Sequence, residues 1–355
     1  MDLMNNMKKS SFIKKTKFQE IIGENVRCLT CERRCIIPEG AIGYCGTRMN
    51  INGEIFSIVY GCLPAISVNA IEKKPLYHFH PNTKAITIGT YGCNFDCFWC
   101  QNHHISHPEK PIKQIVKEHS NYIPPEEVLN MGLEQNCEGT SISFNEPTLL
   151  FEYSLKLFKL ARKRGLYNTY VTNGYMTVSA LRELAKAGLN AMNFDIKGDP
   201  KFVKKYCNAD LEKIWRNARI ANELGIHLEL TTLLIGNLNS SLETIKYICT
   251  KIKEELGRKT PLHLSRFFPH YKAIEMGYQS PTSKSILEKC YQRAKNFGIE
   301  HVYLGNLYEK KYIHHTRCPN CNKVVIKRDM RGIQKVLVKK SGECPFCQSK
   351  INMII

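Results

Sequence analysis

From Lys84 onward the chain alternates between two hydrophobic periods. Short apolar runs begin near Ala85, Thr140, Asn168, Asn190, Ile226 and Leu262, with a last one at Glu300 to Leu304, and they read as buried strands. Segments of helical spacing lie between them. Pro124-Pro125-Glu126-Glu127 opens the first, with prolines and acids where a helix start accepts them. The others are Phe151 to Arg164, Ser179 to Ala187, Asp210 to Leu224, Ser241 to Leu256 and Thr282 to Phe297. Gly165, Gly188, Gly225, Gly257 and Gly298 close several of these. Repeated β–α units predict an α/β fold with a parallel sheet flanked by helices. About six units is fewer than the eight of a closed barrel, so residues 84–305 are expected to form an open, partial (β/α)6 TIM-like barrel.

Residues 1–83 and 306–355 follow other patterns. Met1 to Phe18 reads as a loose, lysine-rich tail. Residues 48–59 read as a hairpin turned at Asn52-Gly53. Glu72 to Pro81 reads as the connection into the first core strand. After Gly305 two short strand patterns, Val324-Val325-Ile326 and Val336-Leu337-Val338, stand between two C-x2-C pairs.

Composition narrows the class. Sixteen cysteines in 355 residues fall short of the roughly 8 to 10 percent of a disulfide scaffold. Eleven of them sit in three tight groups, which is metal-ligand usage in a reducing compartment. Met1 to Phe18 lacks the apolar run of a signal peptide, and no stretch approaches the ~18 apolar residues of a membrane span. The expected location is the cytoplasm, with no membrane partner. The net charge of +19 suits an acidic partner or nucleic acid, and it equally suits a solvated lysine surface, because the charge is spread along the chain.

The cysteine groups carry the candidate chemistry. Cys93, Cys97 and Cys100 are spaced C-x3-C-x2-C on a loop leaving the first core strand. Three thiolates on one loop suit a 4Fe–4S cluster with one iron left open for a small molecule. The alternative is zinc, with His103 or His104 as fourth ligand. Cys28, Cys31, Cys35 and Cys45 form a complete four-thiolate set, for zinc or for a second cluster. Cys318, Cys321, Cys344 and Cys347 read as a zinc ribbon with a closed, structural site. The run Lys323, Lys327, Arg328, Arg331, Lys335, Lys339, Lys340 offers that ribbon a second use in gripping RNA or protein. Cys62, Cys137, Cys207, Cys249 and Cys290 read as small core residues.

Polar residues collect where the strands end: Asn145-Glu146-Pro147-Thr148, Thr172-Asn173-Gly174, Asp195-Ile196-Lys197, Gly236-Asn237, and Arg266-Phe267-Phe268-Pro269-His270-Tyr271. Barrel chemistry sits at the carboxyl ends of strands, so these predict one convergent site. Asn145 to Thr148 taken alone also reads as an ordinary helix start.

The cysteine spacing, with Trp99 before the last cysteine, resembles the signature of radical S-adenosylmethionine enzymes. That resemblance implies a 4Fe–4S cluster whose open iron binds the methionine moiety, and reductive cleavage to a 5′-deoxyadenosyl radical. Residues 84–305 resemble the activating-enzyme branch, the relatives of pyruvate formate-lyase activase. In that branch the residue matching Glu146 holds the methionine amino group, and the D-x-K lysine, here Lys197 beside Asp195, meets its carboxylate. Trp99, Asn145, Thr172 and Asn173 complete the implied cofactor site; His270 sits where that branch often has a histidine facing substrate, and Arg266 and Tyr271 join it as substrate candidates by their position at the strand end. Two positions depart from the branch: Val171 stands where an acid helps hold a monovalent cation, and Gly236-Asn237 where relatives usually have Pro-Gly.

Over nearly its whole length the chain is similar to the AmmeMemoRadiSam system radical enzymes. The similarity lies in Cys28 to Cys35, Ile71 to His78, Asn145 to Thr148, Val171 to Met176 and Ser265-Arg266-Phe267. It implies Memo-like and AMMECR-one-like partners, and the chemistry implies a reductant such as a ferredoxin or flavodoxin. The expected function is hydrogen abstraction from a substrate, a protein by the activase resemblance. The alternatives are a radical enzyme acting on RNA and a non-catalytic, zinc-dependent nucleic-acid-binding protein.

Overall fold

Beyond exposed Lys84, β1 (Lys84–Gly89) and β2 (Gly139–Ile142) are buried on both faces, as strands of a covered parallel sheet are. The structure, a computed structural model, describes residues 11–355. The chain divides into two compact units. One joins the described residues up to Asn69 with Lys84–Asn190, and the other joins Ala70–Thr83 with Ala191–Ile355.

In the first unit β1 pairs in parallel with β2, and β2 with β3 (Tyr167–Thr172), in the register Ala85, Gly139, Tyr167. Between the strands run α1 (Pro125–Glu134) and α2 (Phe151–Lys163), and α3 (Val178–Ala187) follows β3. Phe95, Phe151, Tyr153, Phe158 and Tyr170 are the largest fully buried side chains of this unit. A strand that the periodicity missed, Ala65–Ala70, lies beside β1.

The amino-terminal module is two small antiparallel sheets. Asn25–Cys28 pairs with Gln19–Ile22 on one side and Ile36–Ile37 on the other. Arg48–Asn50 pairs with Ile55–Ser57, turned at Asn52 (φ 54°) and Gly53 (φ 73°), two positive φ values that a tight hairpin needs and that Asn-Gly accepts. The loose-tail expectation fails from Lys14: Lys14–Lys15 adds to that hairpin, and buried Thr16 donates to Glu152 at 2.8 Å. The first ten residues of the expected tail lie outside the described residues.

In the second unit β4 (Ala191–Asp195), β5 (His227–Leu234), β6 (Leu262–Arg266) and β7 (Val302–Gly305) pair in parallel in that order. Its helices are α4 (Pro200–Cys207), α5 (Leu211–Glu223), α6 (Leu242–Glu255) and α7 (Lys284–Asn296). Asp199, Asp210, Ser241 and Ser283 cap them by accepting a backbone N–H in the first turn.

Segment 72–81 does more than connect. Asn193 donates to the Pro75 carbonyl at 2.8 Å, and His78 and His80 exchange backbone bonds with Ile354 at 2.8 Å. The four carboxyl-terminal cysteines sit beside a three-stranded sheet of Thr316–Arg317, Val324–Asp329 and Gly332–Val336. Its last strand thus ends where the sequence pattern placed the start. Among the described residues, no helix is long and apolar enough to cross a membrane.

Candidate functional site

Close packing fixes the loop that bears Cys93, Cys97 and Cys100. A side chain at Gly89 would stand 2.9 Å from the Ser143 carbonyl oxygen. Gly92 has φ +89°, and a Cβ there would collide with the carbonyl oxygen of Cys45. The loop therefore lies directly against the amino-terminal module. Asn145 braces it from β2: its Oδ1 accepts from Thr90 N at 3.2 Å and its Nδ2 donates to Gly92 O at 2.7 Å. Both ends of the Asn145 side chain are spent on backbone, so it positions the loop rather than offering a ligand atom.

Cys97 is buried, and Cys93 and Cys100 are half-buried. Phe95 N–H donates to Cys93 Sγ at 3.4 Å. Burial, with Cys97 and Glu146 nearby, pushes the Cys93 thiol well above its ordinary range. A metal must therefore hold the thiolate form here. Among the described residues neither His103 nor His104 joins these thiols in a metal-sized group. His103 Nδ1 instead lies 3.3 Å from the Cys100 carbonyl oxygen. Trp99 is buried and meets Phe98 edge-on at 4.7 Å, so it packs the loop from behind.

Glu146 is the centre of the first unit's polar patch. β2 is followed by Phe144 at φ 71°, a left-handed kink that turns the chain into Asn145 and Glu146. Glu146 Oε1 accepts from Thr148 N (3.1 Å), Thr148 Oγ1 (2.5 Å) and Thr172 Oγ1 (2.8 Å), and Oε2 accepts from Asn173 N (2.9 Å). The helix-start reading is thus also correct, since Glu146 caps the turn Pro147–Leu150. Burial raises its pKa, and these four donors oppose the rise.

Asn173 Nδ2 donates to Asn94 Oδ1 at 2.7 Å. Asn94 Nδ2 is fully buried with no partner among the described residues, an orphan donor one residue from Cys93. Thr172, Asn173, Glu146 and the cysteine loop are therefore one hydrogen-bonded assembly at the ends of β1, β2 and β3. Its donor set fits the inferred groups: three thiols for a cluster, a buried carboxylate for an ammonium, and an unspent amide donor. Sequence reasoning passed over Asn94 and the part of Thr148. The only available signal was their place inside the two motifs.

The second unit holds the remaining predicted residues. Lys197 Nζ lies 2.6 Å from Asp195 Oδ2, and Asp195 Oδ1 is buried without a partner among the described residues. Asn239 Nδ2 donates to the Lys197 carbonyl at 2.7 Å. Arg266 Nε donates to the Thr282 carbonyl at 2.7 Å and its guanidinium lies over Phe268 at 5.1 Å, while His270 is exposed. Cys318 and Cys347 sulfurs are 3.6 Å apart and those of Cys321 and Cys344 3.7 Å, all four within 4.8 Å of one another. The Ser349 hydroxyl helps bring the Cys347 thiol down to about 5, so it is a ready thiolate ligand. Arg328 leaves the expected basic surface: it is buried, donating to Thr316 Oγ1 (2.7 Å) and the Tyr77 carbonyl (3.3 Å).

In the amino-terminal module Cys28, Cys31 and Cys45 are buried and Cys35 half-buried, and all four line one pocket. The five remaining cysteines, Cys62, Cys137, Cys207, Cys249 and Cys290, are buried as small core residues should be.

Residues 87–249 match the model of the Radical SAM superfamily. An uncharacterized protein of Methanocaldococcus jannaschii is 36% identical over 350 residues, spanning 97% of this chain and 100% of that protein. A probable GTP 3′,8-cyclase of Pyrobaculum aerophilum is 25% identical over 46% of this chain and 52% of its own length. A putative glycyl-radical enzyme activating enzyme of Methanocaldococcus jannaschii is 26% identical over 43% of this chain and 57% of its own length.

Proposed function

The chain belongs to the Radical SAM superfamily, and on that premise we propose that it abstracts hydrogen from a protein substrate, as the activating enzymes it resembles do. A 4Fe–4S cluster held by Cys93, Cys97 and Cys100 would supply the electron that splits S-adenosylmethionine into methionine and a 5′-deoxyadenosyl radical. The rest falls to the chain's own residues. Glu146 offers its buried carboxylate to the methionine ammonium. Asn145 and Gly92 hold the cysteine loop in place, and buried Trp99 and Phe98 keep water from its back.

Glu146, with its four donors on the same assembly as the cysteine loop, carries this reading. The protein substrate draws support from the relative named as an activating enzyme. The same chemistry on RNA is the second reading, favoured by the exposed lysines Lys323, Lys327, Lys335, Lys339 and Lys340, and weakened by the burial of Arg328. Zinc is the metal we propose for Cys318, Cys321, Cys344 and Cys347, since closed four-thiolate sites suit it. Cysteine usage supports a cytoplasmic setting, and the AmmeMemoRadiSam similarity supports Memo-like and AMMECR-one-like partners.

Anaerobic protein reduced with S-adenosylmethionine present is expected to release 5′-deoxyadenosine, and Cys97→Ala to abolish that release. Retained release in the variant would refute the assignment. Binding of an RNA oligonucleotide that does not weaken with salt would remove the second reading, because phosphate contacts are salt-dependent.

A further inference from the structure

We propose that Cys28, Cys31, Cys35 and Cys45 hold a second 4Fe–4S cluster and not a zinc ion. The four cysteines line a single pocket in the first unit. They share it without closing up. Around one tetrahedral zinc at a Zn–S distance of about 2.3 Å, thiolate sulfurs stand roughly 3.8 Å apart. The carboxyl-terminal group has that spacing, with sulfurs paired at 3.6 and 3.7 Å. Among the described residues the amino-terminal thiols do not gather into such a metal-sized group. The Cys93, Cys97 and Cys100 thiols are likewise open. A cluster demands that open spacing, because each thiolate sits on its own iron with the cube between them.

Backbone bonds hold the spacing. Cys28 N donates to Cys35 O at 2.9 Å, Cys31 bridges to Met176, and the Cys45 carbonyl backs Gly92. Collapse onto a single ion would have to move all three. Arg33, Arg34 and Arg48 also line the pocket and offset the charge of four thiolates. Arg48 is paired with Glu152 (2.7 Å) and Arg34 with Glu32 (2.9 Å). Arg33 also reaches the other loop: its Nε donates to the Asn94 carbonyl at 2.7 Å, and its guanidinium lies 4.3 Å from the Tyr44 ring centroid. Two contacts, Arg33 to Asn94 and Cys45 to Gly92, therefore join this pocket to the Cys93 loop. Four protein thiolates leave no iron open, so the site suits holding an electron beside that loop rather than binding substrate.

The test is metal content and reduced-state electron paramagnetic resonance on full-length protein reconstituted anaerobically with iron and sulfide. Wild type is expected to hold about eight irons and about one zinc per chain. A variant with Cys93, Cys97 and Cys100 all changed to alanine should keep about four irons and a cluster signal. Cys28→Ala combined with Cys31→Ala should lose about four irons with zinc unchanged. About two zincs in wild type, one of them lost in the Cys28/Cys31 variant, would overturn the proposal, as would an iron-free triple variant. If the Cys28/Cys31 variant fails to fold, the triple variant decides alone. Should residues 93–100 bind no cluster, wild type would hold about four irons, lost only with the amino-terminal cysteines, so the two assignments fail separately.

Discussion

Glu146 illustrates what a single residue can be made to do. A buried carboxylate is costly unless its oxygens are satisfied, and four donors from Thr148, Thr172 and Asn173 satisfy them here. Glu146→Gln turns an acceptor into a donor facing N–H and O–H groups and removes the charge that an ammonium requires. Charge-assisted hydrogen bonds contribute about 1.5 to 3 kcal/mol, so S-adenosylmethionine affinity is expected to fall roughly ten- to a hundredfold. Equilibrium dialysis with iron content as the control checks this, and unchanged affinity at full iron content would exclude the assigned role. The sequence motif announced Glu146, Thr172 and Asn173. It could not announce Asn94, whose orphan amide is visible only once burial and partners are known, nor the brace that Asn145 makes with Gly92.

At the level of elements, alternation of periods was the legible part, because a strand of period two and a helix of period 3.6 leave different marks. All seven parallel strands fall where apolar runs begin, and the caps at Asp210, Ser241 and Ser283 stand just before their helices. Helix α4 was missed although Asp199-Pro200 is a start signal, since it is short and lies between longer patterns. Wholly illegible was the polar layer at the starts of β5, β6 and β7. There the buried Glu229 carboxylate accepts from His78 N (2.7 Å) and lies 3.2 Å from His227 Nε2 and 2.7 Å from His263 Nε2. His301, just before β7, is buried with an unpartnered Nε2 among the described residues, and burial pushes it down to about 4. Between pH of about 6.5 and about 4 the unfolded chain binds a proton that folded His301 refuses. Stability is therefore full above about 6.5 and is lost as pH falls toward 4, by roughly 3 kcal/mol from this residue. Urea unfolding of wild type and His301→Phe at pH 7.5 and pH 5 should show a smaller acid loss in the variant. Identical losses would refute the assignment.

Across the whole chain, composition misleads where tertiary partners intervene. The charge of +19 includes Arg328, yet Thr316, His314 and Tyr77 take up the two terminal nitrogens of its buried guanidinium, with the Tyr77 ring 4.5 Å away. That contact ties the carboxyl-terminal sheet to residues 70–83, some 250 positions earlier, and the exchange of bonds between Ile354 and His78 and His80 ties the chain's last residues to the same segment. Local sequence signals carry no such information, so the segment read as a plain connection. The second unit is closed by this return of the chain end, and the four-cysteine group is what orders that end: Cys318 N bonds Lys323 O, Cys344 N bonds Ser349 O, and Ile351 packs on the same cluster. Metal loss should therefore propagate to residues far away in sequence. Cys344→Ser, which breaks a closed thiolate set, is expected to release bound zinc and to speed amide exchange at His80 and Ile354 as well as in Val324–Asp329. Hydrogen-exchange mass spectrometry resolves these peptides. Zinc loss with unchanged exchange at His80 and Ile354 would mean that packing alone secures the chain end. Faster exchange there would make the metal a fastening of the second unit and not only of its own knuckles.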